Sequence, residues 1–311
     1  MRVNKMFFAI RYFVFFSTFL LFVLSQTAQA ETIGLVDGLW VMKKVDDRYE
    51  GDDIQEDMYL TLDKTGERAR KPRNLDVRWL KKDYGKEDKV VIHFISPDFV
   101  AGTTLLMEIK PYQDDDRWLY IPENNIIKRI KAQDQYTNFM GTDFTYYDLA
   151  EREPDEENHK LLKIEELNGR LCYVVETTPE ERIGDFYSKK TTWVDKERFT
   201  KMRIKYFNKA GRFMKQFDPG KWEKISGIWT ARQLVMEDFI REHKTIIDRR
   251  NIRYNQKIAA EYFIPRNVDC VVYKEDKFSL LPFDQRPTKE RVGKKNKSRK
   301  GRKDLPLQKK E

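Results

Sequence analysis

From residue 57 onward, apolar side chains recur at every second position. In DMYLTLDK (57–64) Met58, Leu60 and Leu62 alternate with Tyr59, Thr61 and Asp63, and in KVVIHFIS (89–96) Val90, Ile92 and Phe94 share a face. The same period returns in TTLLMEIK (Leu105, Met107, Ile109), in RLCYVVET (Leu171, Tyr173, Val175) and in KMRIKYF, where Met202, Ile204 and Tyr206 alternate with Lys201, Arg203 and Lys205. One solvated and one apolar face is the mark of antiparallel strands. Further strands are predicted at 117–121, 126–131, 189–195, 212–217, 229–237 and 243–253, separated by turn material such as Pro122-Glu123-Asn124-Asn125, Asn168-Gly169, Lys209-Ala210-Gly211 and Asp218-Pro219-Gly220. The total of about ten or eleven strands exceeds what a flat open sheet carries, so the sheet should curl towards a barrel or pack as two layers.

The pattern differs at both ends. Ile33, Leu35, Val36, Leu39, Trp40 and Met42 fall mostly on one helical face ending near Gly51, which predicts a short amphipathic helix. Before it, Arg2, Lys5 and Arg11 precede an uncharged run from Tyr12 to Leu24 and then Ala28-Gln29-Ala30. This reads as a secretory signal peptide over residues 1–30, cleaved near Ala30, because so short a run falls below the ~20 residues of a spanning helix. From Arg286 no apolar periodicity survives, and residues 286–311 read as a disordered basic tail. Residues 31–285 are left as one domain, long enough to bury a substantial core.

Charge has to be read by segment. The formal +9 is accounted for by three cations in the leader and by twelve Lys/Arg against three acids in 286–311, so residues 31–285 carry −3. A globally basic surface of the kind that tracks nucleic acid is therefore not expected. The tail is either a solubilising appendage or an electrostatic anchor for anionic headgroups or an acidic partner. Export permits a disulfide, and Cys172 and Cys270 are either bridged or ordinary buried cysteines.

Catalytic signatures are sparse. His93, His159 and His243 are widely spaced and fall in no paired-ligand motif, no G-x-S-x-G elbow occurs, and neither cysteine has a nucleophile's local signature. Asp114-Asp115-Asp116 reads as a solvated hairpin tip, and residues 150–160 as a polar acidic loop. What the chain offers instead is apolar strand surface. In RWLYIPENNIIKRI Trp118 and Tyr120 share one face and Leu119 and Ile121 the other, so this hairpin is apolar on both sides and should be covered twice. The segment NFMGTDFTYYDL (138–149) adds Phe139, Met140 and Phe144 around Gly141, with Asp143 and Asp148 as its acids, Asp148 reading as the polar end of a short helical turn.

RWLYIPENNIIKRI followed eight residues later by FMGTDFTYYDL resembles the W-L-Y-x-P…F-M-G-(S/T)-D-F signature of the LolA-like outer-membrane lipoprotein-sorting proteins. GIWTARQLVMEDFIREHKTIIDRRNIRYNQKIAAEYF is similar to that family's closing strand pair and final helix. The chain departs from the pattern at Gln135, Tyr147 and Ala231, where the family often has a basic residue, an acid and a proline, and in its Lys/Arg-rich tail. The resemblance implies a mainly β fold, an incompletely closed antiparallel β-barrel with a few covering helices around an apolar cavity for acyl chains.

It further implies a periplasmic carrier that binds acyl chains of lipoproteins or lipids for transfer towards the outer membrane, with an exporter of the resistance-nodulation-division type or an outer-membrane acceptor as partner. A non-enzymatic sensor or adaptor that binds a membrane protein is the alternative. Neither reading needs a cofactor, a metal or a catalytic residue. The expected cavity residues are Ile92, Phe94, Leu105, Met107, Trp118, Tyr120, Phe139, Met140 and Phe144.

Overall fold

The computed structural model describes residues 36–64, 73–83, 87–150, 152–179, 186–274, 277–282 and 285. The expected signal peptide, the start of the amino-terminal helix and the basic tail lie outside the described residues. After helix α1 (Gly38–Asp46) come β1 (Asp53–Lys64), β2 (Arg73–Asp83), β3 (Asp88–Ser96), β4 (Thr104–Ile109), β5 (Asp116–Ile121) and β6 (Ile126–Arg129). An inserted segment, residues 130–150, then leads to β7 (Glu157–Leu167), β8 (Arg170–Pro179), β9 (Tyr187–Asp195), β10 (Lys201–Asn208), β11 (Phe213–Ile225), β12 (Ile228–Asp238) and β13 (His243–Tyr254). A small hairpin, β14 (Val271–Lys274) and β15 (Lys277–Leu280), ends the described chain.

Strands β1 to β13 form one antiparallel sheet in the order β6-β5-β4-β3-β2-β1-β13-β12-β11-β10-β9-β8-β7. Every neighbour but the central β1–β13 pair is also the neighbour in sequence. That pair, from Ile54↔Tyr254 to Lys64↔His243, joins the two halves. β6 and β7 are the two edges, so the barrel is not closed. One cluster nevertheless gathers Leu60 (β1), Ile92 (β3), Leu105 (β4), Tyr206 (β10), Met236 (β12) and Ile247 (β13), so the sheet curls around a common interior.

The thirteen strands exceed the predicted ten or eleven. β2 escapes the pattern because RNLDVRWLKKD interrupts its apolar positions with charges. β7 corrects the acidic loop expected over 150–160, for the chain is strand from Glu157. It is an edge strand with a bulge between Leu161 and Lys163, which breaks its alternation, and most of its side chains meet solvent.

The amphipathic helix forms as α1, nine residues long. Asp37 caps it, its carboxylate accepting from the Trp40 N–H at 2.6 Å. Val41 and Val45 pack over Tyr173, Val175 and Val194 on the concave side of β8 and β9. The final helix implied by the resemblance does not form: after β13 the chain makes two 3-10 turns, Ala260–Phe263 and Pro265–Asn267. Ile258, Phe263, Val268 and Val271 from this stretch cover Leu80, Val91, Leu106 and Tyr120 on the convex face. Cys172 and Cys270 are both buried and unbridged.

Candidate functional site

The inner wall of the half-barrel is apolar by register. Val90↔Met107 and Ile92↔Leu105 pair across β3 and β4, and Leu105↔Leu119 continues the row onto β5. Alternation sends all of these to the concave side, where they meet Met58, Leu60 and Leu62 of β1. Opposite them lies the inserted segment. Phe139, Phe144, Tyr146 and Tyr147 are buried in the same cluster, with Tyr136, Met140 and Leu149 packed against it. Ring centroids of Phe94 and Phe139 lie 5.7 Å apart, Phe139 and Tyr146 5.5 Å, and Phe144 and Phe217 5.8 Å. The space expected for an acyl chain holds the chain's own aromatic segment.

Of the nine expected cavity residues, Ile92, Phe94, Leu105 and Met107 form wall, and Phe139, Met140 and Phe144 belong to the plug that covers it. Trp118 and Tyr120 do not join them. With Leu119 facing inward opposite Leu105, its neighbours must face outward, and both pack on the convex side under the 255–282 segment. The hairpin is covered twice as its two apolar faces require, and the face assignment alone is corrected. Burial and the Asp269 charge push the Tyr120 phenol up to about 12.

The plug is shaped by backbone conformation and held by its acids. Met140 (φ 47°) and Gly141 (φ 80°) are consecutively left-handed, which reverses the chain between two large side chains. The Phe139 N–H donates to the Phe144 carbonyl at 2.8 Å, and the Thr142 hydroxyl donates to the Phe139 carbonyl at 2.7 Å. Asp143 is fully buried. Its carboxylate accepts from the Thr245 hydroxyl at 2.7 Å and from Arg241 at 3.0 Å, and lies 2.7 Å from His243 Nδ1. Its N–H donates back to the Thr245 hydroxyl at 2.9 Å.

Asp148 accepts from the N–H and the hydroxyl of Thr145, both at 2.7 Å, closing the expected turn. It is also the counter-ion of buried Lys215 at 2.5 Å and accepts from the Tyr187 hydroxyl at 2.9 Å. Both carboxylates have their lone pairs occupied by fixed donors, as buried charges require. The two acids are therefore clamps that fasten the plug to β11 and β13. Burial beside Asp148 pushes the Tyr187 phenol well above its ordinary range. Sequence reasoning missed Lys215, since an alternating lysine reads as solvated and only the plug's acid reveals its partner.

Other buried ions serve the frame. Asp115 is buried rather than solvated, accepting from Arg117 at 2.5 Å and Arg152 at 3.3 Å, whereas Asp116 at the same tip pairs with Lys110 and Arg129. Glu56 binds Arg249 at 2.6 Å, and Glu157 binds Lys190 at 2.9 Å. His93 Nδ1 rests 2.9 Å from the Thr104 hydroxyl, a structural contact. Among the described residues no three His, Cys, Asp or Glu side chains are grouped to hold a metal ion. On the convex face, Gln55, Leu80, Arg253, Ile258, Tyr262 and Phe278 border a shallow cavity of about 230 Å³.

A family model described as "Uncharacterized protein" matches residues 86–269. No curated protein matches the chain. Among solved structures, a DUF1329 family protein from Desulfovibrio piger is 27% identical, with 74% of this chain and 97% of that one covered at a TM-score of 0.70. A putative outer membrane lipoprotein-sorting protein domain from Vibrio parahaemolyticus is 24% identical, with 74% and 97% covered at 0.69. A LolA superfamily protein from Nitrosomonas europaea is 18% identical, with 74% and 98% covered at 0.56. With more than half of its length matched, the chain belongs to the family that this model describes, and its unclosed antiparallel half-barrel is the LolA-like fold of these solved structures.

Proposed function

We propose that the protein is a non-enzymatic periplasmic carrier that takes acyl chains of a lipoprotein or lipid against its concave face and passes them towards the outer membrane. An inner-membrane exporter of the resistance-nodulation-division type and an outer-membrane acceptor are its partners in this reading, and the basic tail assists at anionic membrane surfaces. The observation that carries it is the apolar inner wall running from β1 through β5 and across β10, β12 and β13, opposed by a segment that is anchored mainly through two carboxylates. An acyl chain removed from water gains about 25 cal/mol per Å². The aromatic side chains of the plug gain at a similar rate from the same wall. Exchanging one for the other therefore leaves the apolar term nearly balanced, and the two carboxylate clamps set what displacement of the plug costs.

The adaptor reading is favoured by a different observation. Phe94, Leu105 and Met107 are wholly inaccessible, so the resting interior is as well packed as a core. In that case the outer surface, rather than the interior, meets a membrane protein. Native mass spectrometry on protein gently extracted from the periplasm decides between them. Acyl-bearing adducts support the carrier. A bare mass, together with no binding of a fluorescent fatty acid, sinks it and leaves the adaptor.

A further inference from the structure

Residues 204–217 contain four Lys or Arg and no acid, in a body whose net charge is −3; Lys215 is buried against Asp148, which leaves Lys205, Lys209 and Arg212 towards this end of the sheet. The segment spans the second half of β10, its turn and the start of β11. Because β10, β11, β12 and β13 are successive antiparallel neighbours, the 209–212 turn and the 239–242 turn emerge at the same rim of the half-barrel. There Phe213, Phe239 and Ile240 are 38%, 46% and 60% exposed. The rings of Phe213 and Phe239 meet at a tilt of 41° with centroids 4.9 Å apart, and Phe207 lies 6.0 Å from Phe213. Lys189 sits 5.2 Å over the Phe207 ring and Lys205 5.7 Å over the Phe213 ring, and Lys209, Arg212 and Arg241 stand beside them on the two turns.

Both turns are braced by hydrogen bonds. The Asn208 side chain accepts from the Ala210 and Arg212 N–H groups at 3.0 Å, and the Phe239 N–H donates to the Met214 carbonyl at 2.9 Å. Asp238 is buried and engaged by the N–H groups of Ile240 and Arg241. Of the nearby acids, Glu237 lies against Lys244 and Glu176 against Lys189, while Glu242 stands at the tip. With Arg241 held by Asp143 and Lys189 by Glu176, an apolar tip flanked by Lys205, Lys209 and Arg212 matches the boundary between anionic headgroups and acyl chains, where aromatic rings sit and each nearby cation adds attraction.

We propose that this rim docks the protein on the surface of an anionic phospholipid bilayer, with Phe213, Phe239 and Ile240 entering the headgroup boundary and Lys205, Lys209 and Arg212 contacting phosphates. The assignment rests on the hairpin itself and holds whether or not an acyl chain enters the sheet. The test is co-sedimentation of the full chain with vesicles of phosphatidylcholine alone and of phosphatidylcholine mixed with phosphatidylglycerol. Wild type should bind the mixed vesicles only. Lys209→Glu with Arg212→Glu should lower partitioning at least about tenfold, since each cation near the surface is worth several-fold in binding.

Phe239→Ser with Ile240→Ser should weaken the binding that survives high salt, where the charge attraction is screened. The positions are exposed, and an unchanged Tm verifies that each variant folds. The reversal Lys294→Glu with Lys295→Glu separates the tail: its loss should add to that of the hairpin pair. If both rim pairs bind as wild type does, or if wild type binds neither vesicle, the docking surface is refuted and the patch is left to a protein partner.

Discussion

At the residue scale the family block owes its place to ionisable groups rather than to its aromatic rings alone. Lys215 and Asp148 are both almost fully buried, so removing the carboxylate strands an ammonium in the interior. Asp148→Ala should therefore lower unfolding free energy by about 3–5 kcal/mol in urea, and adding Lys215→Met should restore much of that loss. An additive double mutant would mean the two charges do not act as a pair. His159 offers a pH test. Burial lowers its pKa more than the Pro154 carbonyl and Glu157 raise it, and a neutral ring suits both contacts: Nε2 2.7 Å from that carbonyl, Nδ1 2.9 Å from the Thr177 hydroxyl. The unfolded imidazole titrates near 6.5, so the unfolded chain binds the proton first. The stabilisation is complete above that pH and is lost as pH falls through the folded value. Burial would raise Glu157, yet the Lys190 charge and hydrogen bond bring it below 4.5, so it loses stabilisation in the same direction at lower pH. The urea midpoint should fall on acidification from about pH 7 to 5, and His159→Gln should flatten that decline. An equal decline in the variant would remove His159 as its source.

At the element scale, most strands were legible because a solvated face leaves alternation visible, as in KMRIKYF. Where a strand is covered on both sides, alternation names two faces without saying which is inner. That is why Trp118 and Tyr120 were expected in the cavity and lie outside it, even though double coverage itself was readable. β7 was illegible for the opposite reason: its outer face is solvated and its inner contacts come from a helix far away in sequence. The clearest trace of that packing is a glycine. A Cβ on Gly38 would stand 2.7 Å from the backbone carbon of His159 and the backbone nitrogen of Lys160, so α1 lies directly on the edge strand. Alanine is favoured over glycine inside a helix by about 1 kcal/mol. Here the clash with backbone should reverse the sign, and Gly38→Ala should lower stability by about 1–3 kcal/mol with a corresponding drop in Tm. A raised Tm would show that α1 can shift off β7 freely.

At the scale of the whole molecule, both faces of the half-barrel are covered, among the described residues, by the chain itself: the stretch after β13 covers the convex face and residues 130–150 pack into the concave one. The FMG block was legible in the sequence as apolar, whereas the cover after β13 was expected only as the family's final helix, and only the folded arrangement places the FMG block against the wall instead of in it. If the carrier reading holds, plug and acyl chain compete for one surface, and the competition has a measurable sign. An acyl chain binds the fraction of molecules whose plug is displaced, so apparent affinity is the intrinsic affinity reduced by that fraction. Asp143→Asn keeps the shape of the clamp while weakening its hold on Arg241 and His243. Loosening the plug by about 1.4 kcal/mol would raise a small displaced fraction tenfold and tighten binding of a fluorescent fatty acid by the same factor. The variant should thus be less stable in urea and bind the probe more strongly, an inverse relation that ordinary core damage does not produce. Lower stability with unchanged probe binding would mean that the plug is permanent core and that the molecule works through its outer surface.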